Sequence, residues 1–158
     1  ERPCHLPTFV SISPASTRTS RRVAAAMGAT AFQRGLGAMH ALAHPLGALY
    51  DAHHGMLNAV LMPYVLQANR AAIDERITAL ARYLGLPQPS FDAFLEWVLA
   101  LREQIGIPHT LGALGIDTAL AGKVGAMAVA DGSAATNPIA FSAAQYAGIF
   151  ERAANGVL

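Results

Sequence analysis

One stretch decides the fold of this chain and reads Gly35-Leu-Gly-Ala-Met-His40-Ala-Leu-Ala-His44-Pro-Leu-Gly-Ala-Leu-Tyr50-Asp-Ala-His53-His54-Gly-Met-Leu-Asn58-Ala59. Its apolar spacing predicts a helix from Gly37 to Leu49, a turn, and a second helix that begins at Met56. His40 and His44 are four residues apart, so on a helix their side chains share one face. A helix–turn–helix hairpin would bring His54 back beside His40.

This histidine cluster has two interpretations. Neutral imidazole is a common ligand for Zn²⁺ and Fe²⁺, and ionisable groups in an apolar stretch need partners. The alternative is that these are ordinary polar residues, satisfied within a packed core. The His-x-x-x-His spacing also occurs in zinc proteases, but their general base follows the first histidine, and here Ala41 stands in that place.

The other candidate ligands are weaker. Asp51 lies in the turn and could be a third ligand, although an aspartate there usually accepts hydrogen bonds from turn amides. We expect His53 to be an exposed turn residue. His5 and His109 are isolated in the sequence, and we assign them no role in the site.

The rest of the chain predicts an all-α fold. Pro3, Pro7 and Pro14 indicate an irregular or disordered segment over residues 1–20, followed by a helical metal-binding domain over residues 21–158. Within this domain Pro45 and Pro63 are expected to bend or break their helices. Apolar periodicity and caps, among them Ser90 and Ser142, predict further helices over residues 21–33, 56–69, 73–84, 91–105, 118–130 and 143–154, with a loop over residues 131–141.

Composition excludes several classes of protein. The chain is 53% hydrophobic and only 13% charged, with a net charge of +1, which provides no basic surface for nucleic acid. Its mean hydropathy is +0.34, but histidines and prolines interrupt the longest uncharged stretches, so we expect no membrane span. The single cysteine, Cys4, fits a reducing compartment, and no apolar leader is evident, so we expect a cytoplasmic protein.

The quoted stretch closely resembles the second signature of the iron-containing (group III) alcohol dehydrogenases. Val60-Leu-Met-Pro63-Tyr64 after it and Asn137-Pro138 before the last helix are also similar to that family. The resemblance covers about residues 22–158. It implies the C-terminal helical domain of a two-domain enzyme in the dehydroquinate synthase-like superfamily, whose N-terminal α/β domain binds NAD or NADP.

The resemblance also implies roles for three histidines. His40 and His54 match two of the three histidines that, with one aspartate, bind the divalent metal of the family, expected to be Fe²⁺ with Zn²⁺ as the alternative. His44 matches a histidine near the nicotinamide and substrate that is suspected of assisting proton transfer. No segment of residues 1–34 resembles the family's Asp-x-x-x-His pair or its nucleotide-binding domain.

We therefore expect part of a dehydrogenase that interconverts a small alcohol and its aldehyde, assembles as a dimer, and is inactive as an isolated chain. The uncommon density of apolar residues is consistent with a surface that has lost its partner. Two alternatives stay open. One is a non-catalytic helical domain or truncation product with a remnant metal motif, and the other is a metal-independent relative such as a maleylacetate reductase.

Overall fold

A computed structural model describes the backbone of residues 14–158 and the side chains from residue 19 onward. The chain divides into two compact units, residues 1–35 and residues 36–158. The described residues form α-helices and short 3₁₀ helices and contain no strand, which confirms the all-α prediction. Cys4 and His5 lie outside the described residues.

The first unit contains helix α1, Pro14–Phe32. The predicted start at Arg21 was wrong, because residues 14–20, expected to be irregular, are already helical. Proline suits the first turn of a helix, since its missing N–H has no partner there and its ring presets φ. The prolines of the sequence therefore did not all indicate irregular backbone.

The second unit begins with the two helices that carry the histidines. Helix α2 spans Gly37–Tyr50, as predicted within one residue, and it continues through Pro45 without a break. It ends at Asp51, whose φ of 52° lies in the left-handed region and turns the chain. His53 then caps helix α3, its Nδ1 accepting a hydrogen bond from the Met56 amide at 3.3 Å.

Helix α3, His54–Tyr83, is a single helix of 30 residues where two were predicted. The sequence predicted a break between residues 69 and 73. Here the Asn69 amide is buried inside the continuous helix, and it bonds to the Val65 carbonyl and to Asn137. Its polar side chain is therefore satisfied within the helix and by a residue from a distant segment.

The remaining helices are α4 (Phe91–Gln104), α5 (Ala121–Ala130) and α6 (Ala143–Asn155). Ser90 and Ser142 cap α4 and α6 as predicted, and Ser142 forms a reciprocal capping box with Gln145. Helix α5 begins three residues later than expected, because Asp117 holds the Ala119 amide in a turn before it. The predicted loop after α5 contains a 3₁₀ helix, Gly132–Thr136.

Helix α2 lies at the centre of the core, against α3, α5 and α6. Gly125 lets α5 approach α6 closely, since a Cβ there would collide with the Ala143 carbonyl oxygen. The largest side chains with no exposure include Leu42, Leu46, Leu57, Leu61, Leu111 and Phe150. No helix in the described part of the chain combines the length and apolarity needed to cross a bilayer.

Candidate metal and proton-transfer site

Three histidines come together between the first half of α2 and the start of α3. His40 and His44 occupy one face of α2, and the turn after Tyr50 returns the chain so that His54 is the first residue of α3. The His40 ring centroid lies 5.2 Å from that of His54 and 5.9 Å from that of His44. The rings of His44 and His54 stack at 5.4 Å, with planes 12° apart.

Asn58 shows where two of these rings point. Its Nδ2 lies 3.0 Å from Nε2 of His54 and 3.4 Å from Nε2 of His40. An amide nitrogen only donates hydrogen bonds, so both Nε2 atoms accept from it through their lone pairs. The two imidazoles therefore direct their lone pairs at one region of space, one helical turn from His54.

The environment of His40 favours the neutral ring. Burial is the largest influence and lowers the pKa of His40 below its usual value, and the neighbouring rings of His54 and His44 lower it further. The opposing influences of the Leu36 carbonyl and Asp131 are smaller. A neutral imidazole is the form that binds a metal ion, so the lowered pKa of His40 favours the form that can act as a ligand.

His44 has a carboxylate partner that the sequence did not suggest. Its Nδ1 lies 2.8 Å from Oδ2 of Asp131, the residue that follows α5. Oδ1 of Asp131 accepts a hydrogen bond from the Ser133 amide at 2.8 Å. Burial alone would raise the pKa of Asp131, but the Ser133 amide and His44 together hold that pKa below its usual range.

The segment that carries Asp131 is attached to α2 at a second place. Oγ1 of Thr136 accepts a hydrogen bond from the Gly37 amide at 3.1 Å, and Oδ1 of Asn137 accepts one from the Ala38 amide at 3.0 Å. Gly37 needs to be glycine here, because its φ is +67° and a Cβ would lie 3.1 Å from Oδ1 of Asn137. The segment Asp131–Asn137 thus holds α2 both at its beginning and at His44.

Asn137 also connects this segment to α3. Its Nδ2 donates to Oδ1 of Asn69 at 2.8 Å and to the Ile139 carbonyl at 2.8 Å, while Oδ1 accepts from Nδ2 of Asn69 at 3.0 Å. The two asparagines form a reciprocal amide pair in which each side chain both donates and accepts. This pair fixes α2, α3 and the Asp131 segment relative to one another.

Other predicted candidates lie apart from the cluster. His53 is the exposed cap of α3, and Asp51 is the exposed left-handed residue of the turn. His109 has an exposed side chain, and its carbonyl accepts a hydrogen bond from the Tyr64 hydroxyl at 2.7 Å. Among the described residues no group of three or more His, Cys, Asp or Glu side chains is arranged to hold a metal ion.

Sequence reasoning missed Asn58 and Asp131. Asn58 had a detectable signal, since it is four residues after His54 and therefore shares its face of α3. Asp131 is 87 residues from His44, and no local pattern links the two. Asn137 was noted within the Asn-Pro dipeptide, without its role of joining two helices.

Comparison with known proteins identifies the class first, a helical domain of dehydrogenases. The model of the Fe-containing alcohol dehydrogenase family, C-terminal, matches residues 11–154. The chain belongs to this family, which confirms the resemblance found in the sequence.

Two relatives illustrate the match, and both are named as dehydrogenases. The chain is 38% identical over 144 residues to a 4-hydroxybutyrate dehydrogenase of Cupriavidus necator, a match that covers 85% of this chain and 37% of the relative. It is 36% identical over 124 residues to a 1,3-propanediol dehydrogenase of Citrobacter freundii, covering 75% of this chain and 32% of that protein. The chain thus spans about a third of the length of these relatives.

Solved structures agree with this fold. A crystal structure of a 1,3-propanediol oxidoreductase superimposes with a TM-score of 0.70 at 35% identity, over 75% of this chain and 32% of that one. The iron-containing alcohol dehydrogenase of Thermococcus thioreducens gives 0.68 at 29% identity, over 77% of this chain and 32% of that one. The helical unit described here corresponds to one part of each of these larger chains.

Proposed function

We propose that this chain supplies two metal ligands, His40 and His54, and a proton-transfer residue, His44, to an alcohol dehydrogenase. The observation that supports this is the convergence of the two Nε2 lone pairs on the Asn58 amide nitrogen. Two imidazoles aimed at one region fit a divalent metal ion, with Fe²⁺ expected and Zn²⁺ the alternative. A complete catalytic site has at least three protein ligands, so further ligands come from outside this cluster.

In the proposed reaction a small alcohol and its aldehyde are interconverted, and a hydride passes between the alcohol carbon and C4 of NAD or NADP. When bound, the metal ion supplies Lewis acidity, which lowers the pKa of an alcohol hydroxyl close to it. The nicotinamide carries the hydride, and the protein positions it.

His44 handles the proton in this proposal. Its ring stacks on His54, so it is adjacent to a proposed ligand without being directed at Asn58. The side chain is 42% exposed, which leaves it accessible to a substrate hydroxyl and to the nicotinamide. Nε2 of His44 has no hydrogen-bond partner among the described residues, so it is available to accept the hydroxyl proton.

Metal titration of the purified chain tests the ligand assignment. Binding of Co²⁺, Zn²⁺ and Fe²⁺ is measured by calorimetry or by the visible absorption of Co²⁺, for the wild type and for His40→Ala and His54→Ala. We expect each variant to bind at least about tenfold more weakly, a loss of about 1.4 kcal/mol, because one of two imidazole ligands is removed.

His109→Ala is the matched control, because that ring is exposed and lies outside the cluster. Its affinity should equal that of the wild type. Unchanged binding in both cluster variants, or an equal loss in the control, would contradict the assignment and favour a helical domain with a remnant motif.

The activity itself is tested by alcohol-dependent reduction of nicotinamide when this chain is joined to a nucleotide-binding domain. The cytoplasm as compartment and a homodimer as assembly stay predictions from the sequence.

A further inference from the structure

The hydrogen bonds of Asp131 constrain which nitrogen of His44 carries the proton. A carboxylate accepts hydrogen bonds and does not donate them, so the 2.8 Å contact with Oδ2 requires a proton on Nδ1 of His44. In a neutral ring the other nitrogen, Nε2, is then unprotonated and has a free lone pair.

The carboxylate itself is held on both sides. Oδ1 of the Asp131 carboxylate accepts a hydrogen bond from the Ser133 amide at 2.8 Å. The backbone carbonyl of Asp131 accepts one from the Ala134 amide at 3.0 Å, at the start of the 3₁₀ helix. The same segment is anchored to the beginning of α2 through Thr136 and Asn137. Along α2, Gly37 and His44 are separated by roughly 10 Å, so these contacts hold one helix at two distant points.

From this geometry we infer that Asp131 is a positioning residue that fixes His44 as the Nδ1–H tautomer and leaves its Nε2 as the proton acceptor of the site. The tautomer follows from the hydrogen bonds described above. Its role in accepting an alcohol proton rests on the proposed function.

Asp131→Asn provides a sharp test, because the Ser133 amide determines how the new side chain is oriented. That N–H donates, so the oxygen of the asparagine stays beside it and the amide NH₂ faces His44. Two donors cannot face each other, so Nδ1 of His44 must lose its proton, which moves to Nε2. The substitution retains the shape of the side chain and reverses the polarity of one hydrogen bond.

The readout is nuclear magnetic resonance of the metal-free chain with isotopically labelled histidine nitrogens. Spectra are recorded at mildly alkaline pH, because a tautomer is defined only for a neutral ring. Long-range proton–nitrogen correlations identify the protonated nitrogen of each ring, and His44→Ala assigns the His44 signals. We expect Nδ1–H in the wild type and a shift of the proton to Nε2 in Asp131→Asn.

Asp117→Asn is the matched control, since Asp117 also accepts an amide two residues ahead but lies on the turn before α5. It should leave the His44 tautomer unchanged. A wild-type ring protonated on Nε2 would overturn the inference, as would an Nδ1–H ring that persists in Asp131→Asn. The wild-type spectrum decides the question even if Asp131→Asn does not fold.

The outcomes of this experiment and of the metal titration distinguish a failure of the inference about Asp131 from a failure of the proposed metal site. A normal loss of metal affinity in His40→Ala and His54→Ala, with the wrong tautomer in the wild type, would leave the ligands in place and remove the role of Asp131. The expected tautomers together with unchanged metal binding would retain the His44–Asp131 pair and refute the proposed metal site.

Discussion

Asn137 is the side chain whose removal should best show how much the hydrogen bonds between distant segments contribute to the free energy of unfolding of the second unit. It makes four hydrogen bonds, to the Ala38 amide, the Ile139 carbonyl and both ends of the Asn69 amide. Asn137→Ala removes all four. Of the groups left behind, Ile139 is half-buried and accessible to water, whereas Ala38 and Asn69 are 1% and 4% exposed.

The magnitude follows from these two buried groups. A buried donor or acceptor that loses its partner costs about 1–3 kcal/mol, whereas a group that can bond to water costs little. The Ala38 amide and the Oδ1 of Asn69 are both of the first kind, so we expect Asn137→Ala to lower the free energy of unfolding by about 2–6 kcal/mol. Asn155→Ala, at the exposed end of α6, should change it by less than about 0.5 kcal/mol.

Urea denaturation measures the effect. Trp97 is the only tryptophan of the chain and lies on α4, so its fluorescence reports on the second unit. The slope of the unfolding free energy against urea concentration should equal that of the wild type in both variants, because the surface buried on folding changes little.

A double-mutant cycle with Asn69→Ala decides whether the amide pair itself is responsible. When both side chains are removed, neither leaves an unpaired amide behind. The double variant should therefore be more stable than the sum of the two single losses predicts, by about 1 kcal/mol or more. Strict additivity, or an Asn137→Ala chain as stable as the Asn155→Ala control, would refute this account of how α2, α3 and the Asp131 segment are joined.

Two further predictions concern helix packing and pH. Gly125→Ala should destabilise the second unit by about 1–3 kcal/mol or more, because the new Cβ would collide with the Ala143 carbonyl. Gly122→Ala is the control: open space surrounds that residue, so the substitution should be neutral or slightly stabilising. Equal effects of the two substitutions in urea denaturation would refute the close approach of α5 and α6. For the metal-free chain, the pKa of His40 is lower in the folded than in the unfolded state, so the unfolded chain binds more protons and stability falls as the pH drops below about 6.5 toward the folded pKa. His40→Gln should weaken this dependence between neutral and mildly acidic pH, and identical profiles for the two proteins would contradict the contribution of His40.

Local sequence patterns predicted that His40, His44 and His54 lie close together. The i, i+4 spacing of His40 and His44 depends only on the helical repeat, and the short turn after Tyr50 leaves few ways for His54 to lie elsewhere. The serine caps of α4 and α6 were predicted for the same reason, since a cap bonds to an amide within three residues. The resemblance to the iron-containing alcohol dehydrogenases, carried by one continuous stretch, was likewise available from the sequence and agreed with the comparisons.

Some errors concerned local details, such as the starts of α1 and α5, and the others arose where distant residues come together. The sequence predicted a break after Asn69, whereas α3 is continuous there and the Asn69 amide bonds to Asn137, 68 residues away. The partner of His44 could not be found from neighbouring residues, since Asp131 follows a different helix.

The sequence by itself determined the helices, their caps and the face that carries His40 and His44, because these depend on interactions between residues at most a few positions apart. Only the tertiary structure decided that α3 is one helix, that Asn58 lies between two imidazoles, and that Asp131 meets His44. Those contacts depend on how α2 packs between α3 and α5. A polar side chain has no preferred partner in the sequence until packing brings a donor and an acceptor together in a place that excludes water.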